Sequence, residues 1–293
     1  MRKLAITGGN GFLGSHLLIA LLEKTDFCVV ILKRSTSNLV RLKRLSKHPR
    51  VHFCDIDEKP LEVVLEEHAV ETFIHCATNY GRNNNDVLNI VQSNLILPLT
   101  ALQACVKTGV KLFINTDTII NKNVSHYSLS KSQFIDWLRV YSTDIKTINL
   151  TLEHFYGAFD NDTKFTTLVI RSLLKNVESL DLTEGNQRRY FIHIHDVISA
   201  FMTILAKHEI IEGNFRSFDI SAETSATVKE FVLLVKKLTG NTLTKLNFGA
   251  VPYRVNEIMD FKTDISGLKN LGWRPNVSLE EGLSQTITEE SLQ

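Results

Sequence analysis

Two residues four positions apart, Tyr127 and Lys131 in the run Tyr127-Ser128-Leu129-Ser130-Lys131, are of the types that move protons. On a helix that spacing puts both on one face. An ammonium beside a phenol favours phenolate and draws the tyrosine pKa down from about 10 toward the range a general acid or base needs. Any helix can carry such a pair on its surface, so its place in the chain carries the information. It follows Lys111-Leu112-Phe113-Ile114-Asn115, a strand-like run that leads into Thr116-Asp117-Thr118.

A second chemical feature is the turn Thr7-Gly8-Gly9-Asn10-Gly11-Phe12-Leu13-Gly14, between the apolar Leu4-Ala5-Ile6 and an amphipathic run from Ser15 to Leu22. Strand, glycine turn and helix in that order make a dinucleotide site. Gly8 suits the tight turn, Gly11 lets the backbone approach a pyrophosphate, and Gly14 removes a side chain where helix meets sheet. The free N–H groups of the helix's first turn then face the phosphates.

The elements that must position these groups follow in regular alternation. Phe27 to Leu32 is an apolar run suited to the inside of a parallel sheet, and it ends in Lys33-Arg34-Ser35. An acidic side chain there would accept from the ribose 2′-hydroxyl of NAD; two cations and a hydroxyl suit the 2′-phosphate of NADP instead. The same cations could simply begin a solvated basic loop with Arg41, Lys43 and Arg44. Val51 to Ile56 is a third strand whose Asp55 could accept from the adenine amino group, Leu61 to Glu67 a helix, and Thr72 to Ala77 a fourth strand. This order predicts an α/β, doubly wound parallel sheet of the Rossmann type. Asp86 to Lys107 reads as one long helix that Pro98 restarts or kinks.

The expected division is a dinucleotide-binding domain over 1–153 and a smaller α/β substrate lobe over 154–293, with some segments interleaved and a cleft between them. Amphipathic patterns at Val197 to Lys207 and Val228 to Leu238 belong to helices of the second part.

At 293 residues and a formal net charge of +1, the chain gives no electrostatic reason to expect nucleic acid or an anionic membrane as partner. No apolar stretch reads as long enough to cross a bilayer, and the N-terminus reads as strand and turn rather than a signal peptide, so the expected address is cytoplasmic. Cys28, Cys54, Cys76 and Cys105 are far apart, as buried reduced thiols would be. His193 and His195 share a strand face but have no third ligand near, so no metal is expected.

With these runs, the sequence resembles the extended short-chain dehydrogenase/reductase family over nearly its whole length. The resemblance rests on the glycine turn, Asp55-Ile56, His75-Cys76-Ala77, Asn94, the Tyr127 to Lys131 motif, Phe155-Tyr156-Gly157, Arg189-Tyr190-Phe191-Ile192-His193 and Leu271-Gly272-Trp273-Arg274-Pro275. It implies Tyr127 as catalytic acid/base, Lys131 as its tuner and ribose ligand, and a strand-end hydroxyl, Thr118 with Thr116 as the alternative. It implies a cofactor site made of Gly8, Asn10, Gly11, Phe12, Leu13, Gly14, Lys33, Arg34, Asp55, Ile56, Cys76, Ala77, Thr78, Asn94, Thr116 and Lys131. Family members with such a C-terminal half act on nucleotide-diphosphate sugars, which assigns His154, Arg189, Arg254 and Lys164 to the substrate. Tyr190 stands where an Asp commonly follows this arginine, leaving Arg189 without that orienting carboxylate, and Arg188 next door could serve instead. A homodimer through the helices that carry Asn94 and Tyr127 is also implied.

Within the family, 4,6-dehydratases carry Asp-Glu after the hydroxyl, because loss of water across a carbon–carbon bond needs an acid and a base. Ile119 and Ile120 follow Thr118 here. Were Thr116 the hydroxyl, Asp117 could be the acid but Thr118 would replace the base. The expected reaction is NADPH-dependent reduction of a 4-keto nucleotide sugar. The runs Asn115 to Thr118, Tyr127 to Lys131, Tyr156-Gly157 and Thr163-Lys164-Phe165 are most similar to the 4-reductases of CDP-4-keto-6-deoxyglucose in O-antigen sugar formation, so a CDP-sugar is favoured. A 4-epimerase with NAD(P) and a non-catalytic NADP-binding regulator are the alternatives.

Overall fold

The computed structural model describes residues 2–82 and 86–292. The chain divides into two compact units, Met1–Leu152 with Phe201–Phe218, and Glu153–Ala200 with Asp219–Gln293.

The first unit begins β1 (Lys3–Thr7), α1 (Phe12–Lys24), β2 (Cys28–Lys33), β3 (Val51–Asp55), α2 (Leu61–Glu67) and β4 (Thr72–His75). It continues α3 (Val87–Val91), α4 (Leu97–Lys107), β5 (Leu112–Thr118), α5 (His126–Tyr141) and β6 (Lys146–Leu152). In the second unit lie β7 (Phe155–Tyr156), α6 (Phe165–Leu174), β8 (Ser179–Leu182), β9 (Arg188–Arg189) and β10 (Ile192–His193). After α7 (Ile194–Lys207) and β11 (Phe215–Ile220), both of which cross the division, come β12 (Ala226–Thr227), α8 (Val228–Leu238), β13 (Lys245–Phe248), α9 (Ser266–Asn270) and α10 (Leu279–Glu290).

Seven strands form one sheet in the order β11-β6-β5-β4-β1-β2-β3, parallel from β3 through to β6. The doubly wound sheet is therefore as the alternation predicts. Its inner strands are buried on both faces, which is why β2 reads as unbroken Cys-Val-Val-Ile-Leu with no polar alternation. The strand order reverses between β1 and β4, and ligands of open α/β sheets bind outside the carboxyl ends of strands at such a reversal. Gly8 sits there with φ +68°, and a Cβ on it would lie 2.5 Å from the Ala77 nitrogen.

Helix α5 begins at His126 because Ser125 and Ser128 cap it reciprocally, so Tyr127 lies in its first turn. In the run from Val87 to Lys107, α4 restarts at Leu97 with Pro98 in its first turn, as the sequence suggests, and a π-helical turn over Gln92–Ile96 joins it to α3. Proline cannot donate to the carbonyl four residues back, and the wider turn just before it absorbs that loss. The joined run is 21 residues, long and apolar enough by length and composition to cross a membrane, contrary to the sequence expectation. It carries the fully buried Asn94, hydrogen-bonded within the unit.

The second unit holds three two-stranded ladders, β7 with β10, β9 with β12 and β8 with β13. Their core is aromatic, with Phe191 stacked on Phe231 at 4.3 Å between ring centroids. Arg171 holds the C-terminal helix by pairing through Nε at 2.8 Å with the buried Glu290.

Gly8→Ala and Gly109→Ala both place a side chain at positive φ, but a Cβ at Gly109 meets nothing within 4 Å. Gly109→Ala should cost about 1 kcal/mol and Gly8→Ala distinctly more, read as a larger fall in thermal midpoint. Equal losses would mean that backbone approach at the turn is not limiting.

Candidate active site

At the carboxyl ends of β1 and β4, Gly11 is the N-cap of α1 and no side chain caps that helix. Its first-turn N–H groups are thus left to face an anion. Gly11 N donates to the Gly8 carbonyl at 2.9 Å, closing the turn, and a Cβ at Gly14 would collide with the backbone of Gly8 and Gly9. Phe12 and Leu13 are buried behind the turn, and Asn10 donates to the Asn38 carbonyl at 3.0 Å. Just past the end of β4, Cys76, Ala77 and Thr78 are half-buried, and burial pushes the Cys76 thiol up to about 12.

Tyr127 and Lys131 project from α5 into the same unit, near the end of β5. Lys131 is 2% exposed and its Nζ has no hydrogen-bond partner among the described residues. Burial lowers its pKa from the usual lysine value, while the nearby Asp117 carboxylate opposes the shift. Asp117 accepts from Asn149 Nδ2 at 3.3 Å, and Asn149 accepts from Asn115 Nδ2 at 2.7 Å. On the other side His75 is fully buried, 2.8 Å from the Thr7 hydroxyl through Nδ1, and burial with the Lys131 charge holds it neutral.

The expected depression of the Tyr127 pKa is not what the protein's own groups produce. Burial and the neighbouring Tyr80 push the phenol well above the usual range, and a side-chain hydrogen bond with Thr118 only partly opposes this. Desolvation disfavours phenolate, and Thr118 and Arg82 offset it only in part. The phenol therefore stays protonated. Tyr80 packs against Tyr127 at 5.2 Å between ring centroids, with Arg82 over the Tyr80 ring. Neither residue carries a sequence signal, because both lie in an unpatterned loop after β4.

The two threonines differ. Thr116 donates to the His75 carbonyl at 2.9 Å and is buried, so its hydroxyl is used in joining β5 to β4. Thr118, the last residue of β5, is the one that reaches Tyr127. Asn94 accepts from Asn79 N at 2.8 Å and donates to the Asn79 carbonyl and to Ser130. It thereby ties the loop after β4 to α5, and the π-helical turn is what aims it there.

At the far end of β2, Lys33 and Asp55 are register partners on adjacent strands, and their side chains form an ion pair at 2.6 Å. Ser35 Oγ donates to the same carboxylate oxygen at 2.9 Å, and Lys33 holds the Asp55 carboxyl below its usual pKa. Lys33 and Asp55 thus neutralise one another instead of standing as separate contacts to phosphate and adenine. Arg34 is exposed and makes no side-chain bond among the described residues. Ile56 N donates to the Lys33 carbonyl at 2.9 Å.

In the second unit Arg189 is not left loose by Tyr190. It is 7% exposed, its guanidinium donates to the carbonyls of Arg188 and Ile258, and it pairs with Glu257. Arg188 is also engaged, by Ser225. Lys164 pairs with Asp160 at 2.7 Å and lies over the Phe155 ring, whereas Arg254 is exposed. His154 stands 3.1 Å from the buried Glu153 carboxylate. Glu257 and Glu153 escaped the sequence reading because isolated acids have no spacing signature.

A dinucleotide fits the first unit on two observations: positions 8 and 14 have no room for a Cβ, and the buried ammonium of Lys131 has no partner of its own. Because Lys131 loses more than it gains by burial, Lys131→Met should raise stability by about 1–3 kcal/mol while weakening dinucleotide binding at least about tenfold. Its folded pKa lies below the unfolded value, so the unfolded state binds more protons and the penalty fades with rising pH. The stabilisation should accordingly be largest near neutral pH and shrink toward about pH 10.5. Denaturant titrations at several pH values check the sign.

The model of the NAD dependent epimerase/dehydratase family matches residues 4–216. The CDP-abequose synthase of Salmonella muenchen is 33% identical over 296 residues, covering 98% of this chain and 97% of its own. That of Yersinia pseudotuberculosis is 27% identical, covering 89% and 92%. Among solved structures, the UDP-glucose 4-epimerase of Thermotoga maritima has a TM-score of 0.85 at 24% identity, with all of both chains covered. The UDP-glucuronic acid 4-epimerase of Bacillus cereus, solved with UDP-glucuronic acid and NAD, has a TM-score of 0.86 at 22% identity and covers 99% of each. The chain belongs to the NAD dependent epimerase/dehydratase family, the extended short-chain dehydrogenases/reductases, and is an NAD(P)-dependent, oxidoreductase-type enzyme that modifies nucleotide-diphosphate sugars.

Proposed function

We propose that the chain reduces the 4-keto group of a CDP-4-keto-6-deoxyhexose with NADPH, in deoxysugar formation for O-antigen. The observation that carries the reading is the placement of the Tyr127 phenol, one turn before the buried Lys131 on α5 and beside Thr118 at the end of β5. A ketone that gains hydride becomes an alkoxide and needs a proton donor at that oxygen. In this reading Thr118 hydrogen-bonds the carbonyl oxygen, Tyr127 donates the proton, and Lys131 holds the nicotinamide ribose. The nicotinamide, when bound, supplies the hydride. Ile119 and Ile120 offer no acid or base for dehydration. The CDP moiety is supported by the abequose synthase relatives.

Arg254 is the proposed contact to the diphosphate and His154 a further substrate contact, while Arg189 and Lys164 would reach the phosphates by leaving Glu257 and Asp160. A second copy pairing through α3 to α5 is supported by exposed Leu88, Trp137 and Val140 on those helices. The enzyme is proposed to act in the cytoplasm, where nucleotide sugars and NADPH are at hand.

One observation favours a second reading, an NAD-dependent 4-epimerase. Because Asp55 neutralises Lys33, Arg34 alone remains to meet a 2′-phosphate.

NADPH oxidation, followed by its absorbance with a CDP-4-keto-6-deoxy sugar, tests the main reading. Tyr127→Phe should lower kcat by about 10²–10⁴ with dinucleotide affinity unchanged. Unaltered turnover would remove Tyr127 from the chemistry, and conversion of a 4-hydroxy sugar nucleotide with no net cofactor change would favour the epimerase. Arg34→Ala should raise KM for NADPH about tenfold and leave that for NADH unchanged, since one charge-assisted contact of about 1.5 kcal/mol is lost. Equal effects on both would mean that Arg34 does not read the 2′-phosphate.

A further inference from the structure

Glu153, the first residue after β6, is a carboxylate in a place where a neutral side chain would cost less. Its side chain is 1% exposed. Oε1 accepts from the Tyr190 backbone N–H at 3.2 Å and lies 3.1 Å from His154 Nδ1, while the buried Oε2 has no partner among the described residues. Its backbone is pinned too, since Glu153 N donates to the Ile220 carbonyl at 3.2 Å and the Glu153 carbonyl accepts from Phe155 N. Burying a carboxylate with so few donors costs several kcal/mol, and packing alone would not call for it.

What the charge does is visible in its neighbours. His154 sits edge-on to Phe191 at 6.2 Å between centroids, so an apolar ring braces it on one side and the carboxylate holds Nδ1 on the other. The imidazole side chain remains 37% exposed, and Nε2 makes no bond among the described residues. A carboxylate can only accept, so it admits His154 only with Nδ1 protonated. The same charge also acts on Arg189, which Glu257 holds from another direction.

We infer that Glu153 is a positioning residue for nucleoside-diphosphate binding: it locks the His154 ring with Nδ1 protonated, and so presents Nε2 as an acceptor to a donor on the ligand, a hydroxyl or amino group of the nucleoside. This rests on the proposed reading of the second unit as the nucleotide-sugar site. A carboxylate that merely stood near a diphosphate would repel it, so that removing the charge would tighten binding. A positioning carboxylate has the opposite sign.

The test uses Glu153→Gln, of the same shape but able to donate as well as accept, and Glu153→Asp, which keeps an acceptor-only group on a shorter arm. Affinities for CDP and for inorganic pyrophosphate are measured on the full chain by calorimetry. The ring nitrogens of His154, assigned by their loss in His154→Asn, are followed by ¹⁵N NMR without ligand. In the parent and in Glu153→Asp, Nδ1 should be protonated; in Glu153→Gln the Nε2–H form should gain and the CDP Kd should rise about tenfold. Tighter CDP binding in Glu153→Gln, or an unchanged tautomer, overturns the proposal. A parent protein that binds neither CDP nor pyrophosphate overturns the nucleotide-sugar reading instead, and the ring nitrogens then decide the part played by Glu153.

Discussion

An ammonium held almost entirely out of water, that of Lys131, is the constraint around which the first unit is arranged. An unpaired charge in such a place costs several kcal/mol, and the surroundings moderate that cost without abolishing it. Asp117 stands near as counter-charge, itself tied through Asn149 to β6, so the lysine is served by a carboxylate that the sheet fixes and not by a flexible ion pair. His75 faces the same charge and stays neutral, bonded to Thr7 at the end of β1. The capping of α5 by Ser125 and the grip of Asn94 on Asn79 and Ser130 keep the helix from turning the lysine outward. Buried polarity of this kind is what a preorganised site requires, at a cost to stability.

Charges elsewhere are arranged in the opposite manner. Lys33 with Asp55, Lys164 with Asp160 and Arg189 with Glu257 are close pairs of partly or largely buried groups, so each cation is already matched within its own unit. Such pairs contribute little net stability once desolvation is counted, but they fix geometry. An anion that used any of these three cations fully would have to displace a carboxylate, whereas Arg34 and Arg254 are exposed.

Much of the scaffold was legible because its signals are local. The glycine turn, the apolar runs of β1 to β5 and the four-residue spacing of Tyr127 and Lys131 are matters of backbone conformation and periodicity, which neighbouring residues alone decide. The same holds for the doubly wound winding of the sheet, since regular alternation of strand and helix leaves few ways to arrange it. The π-helical turn before Pro98 was not legible in that way, because a proline in a helical pattern is compatible with a kink, a restart or a widened turn, and contacts along the helix choose among them.

Residue types and their order determined that there would be a phosphate-binding turn, a phenol and an ammonium on one helix face, and cations enough for a nucleotide diphosphate. Only the tertiary structure decided how these groups are charged and what they touch. Register across β2 and β3 set Lys33 against Asp55; burial and the neighbouring Tyr80 raised the Tyr127 phenol instead of lowering it; and chain folding brought Glu257 to Arg189 over 68 positions. Charge state depends on desolvation and on partners far away in sequence, and neither quantity is a property of any window of residues.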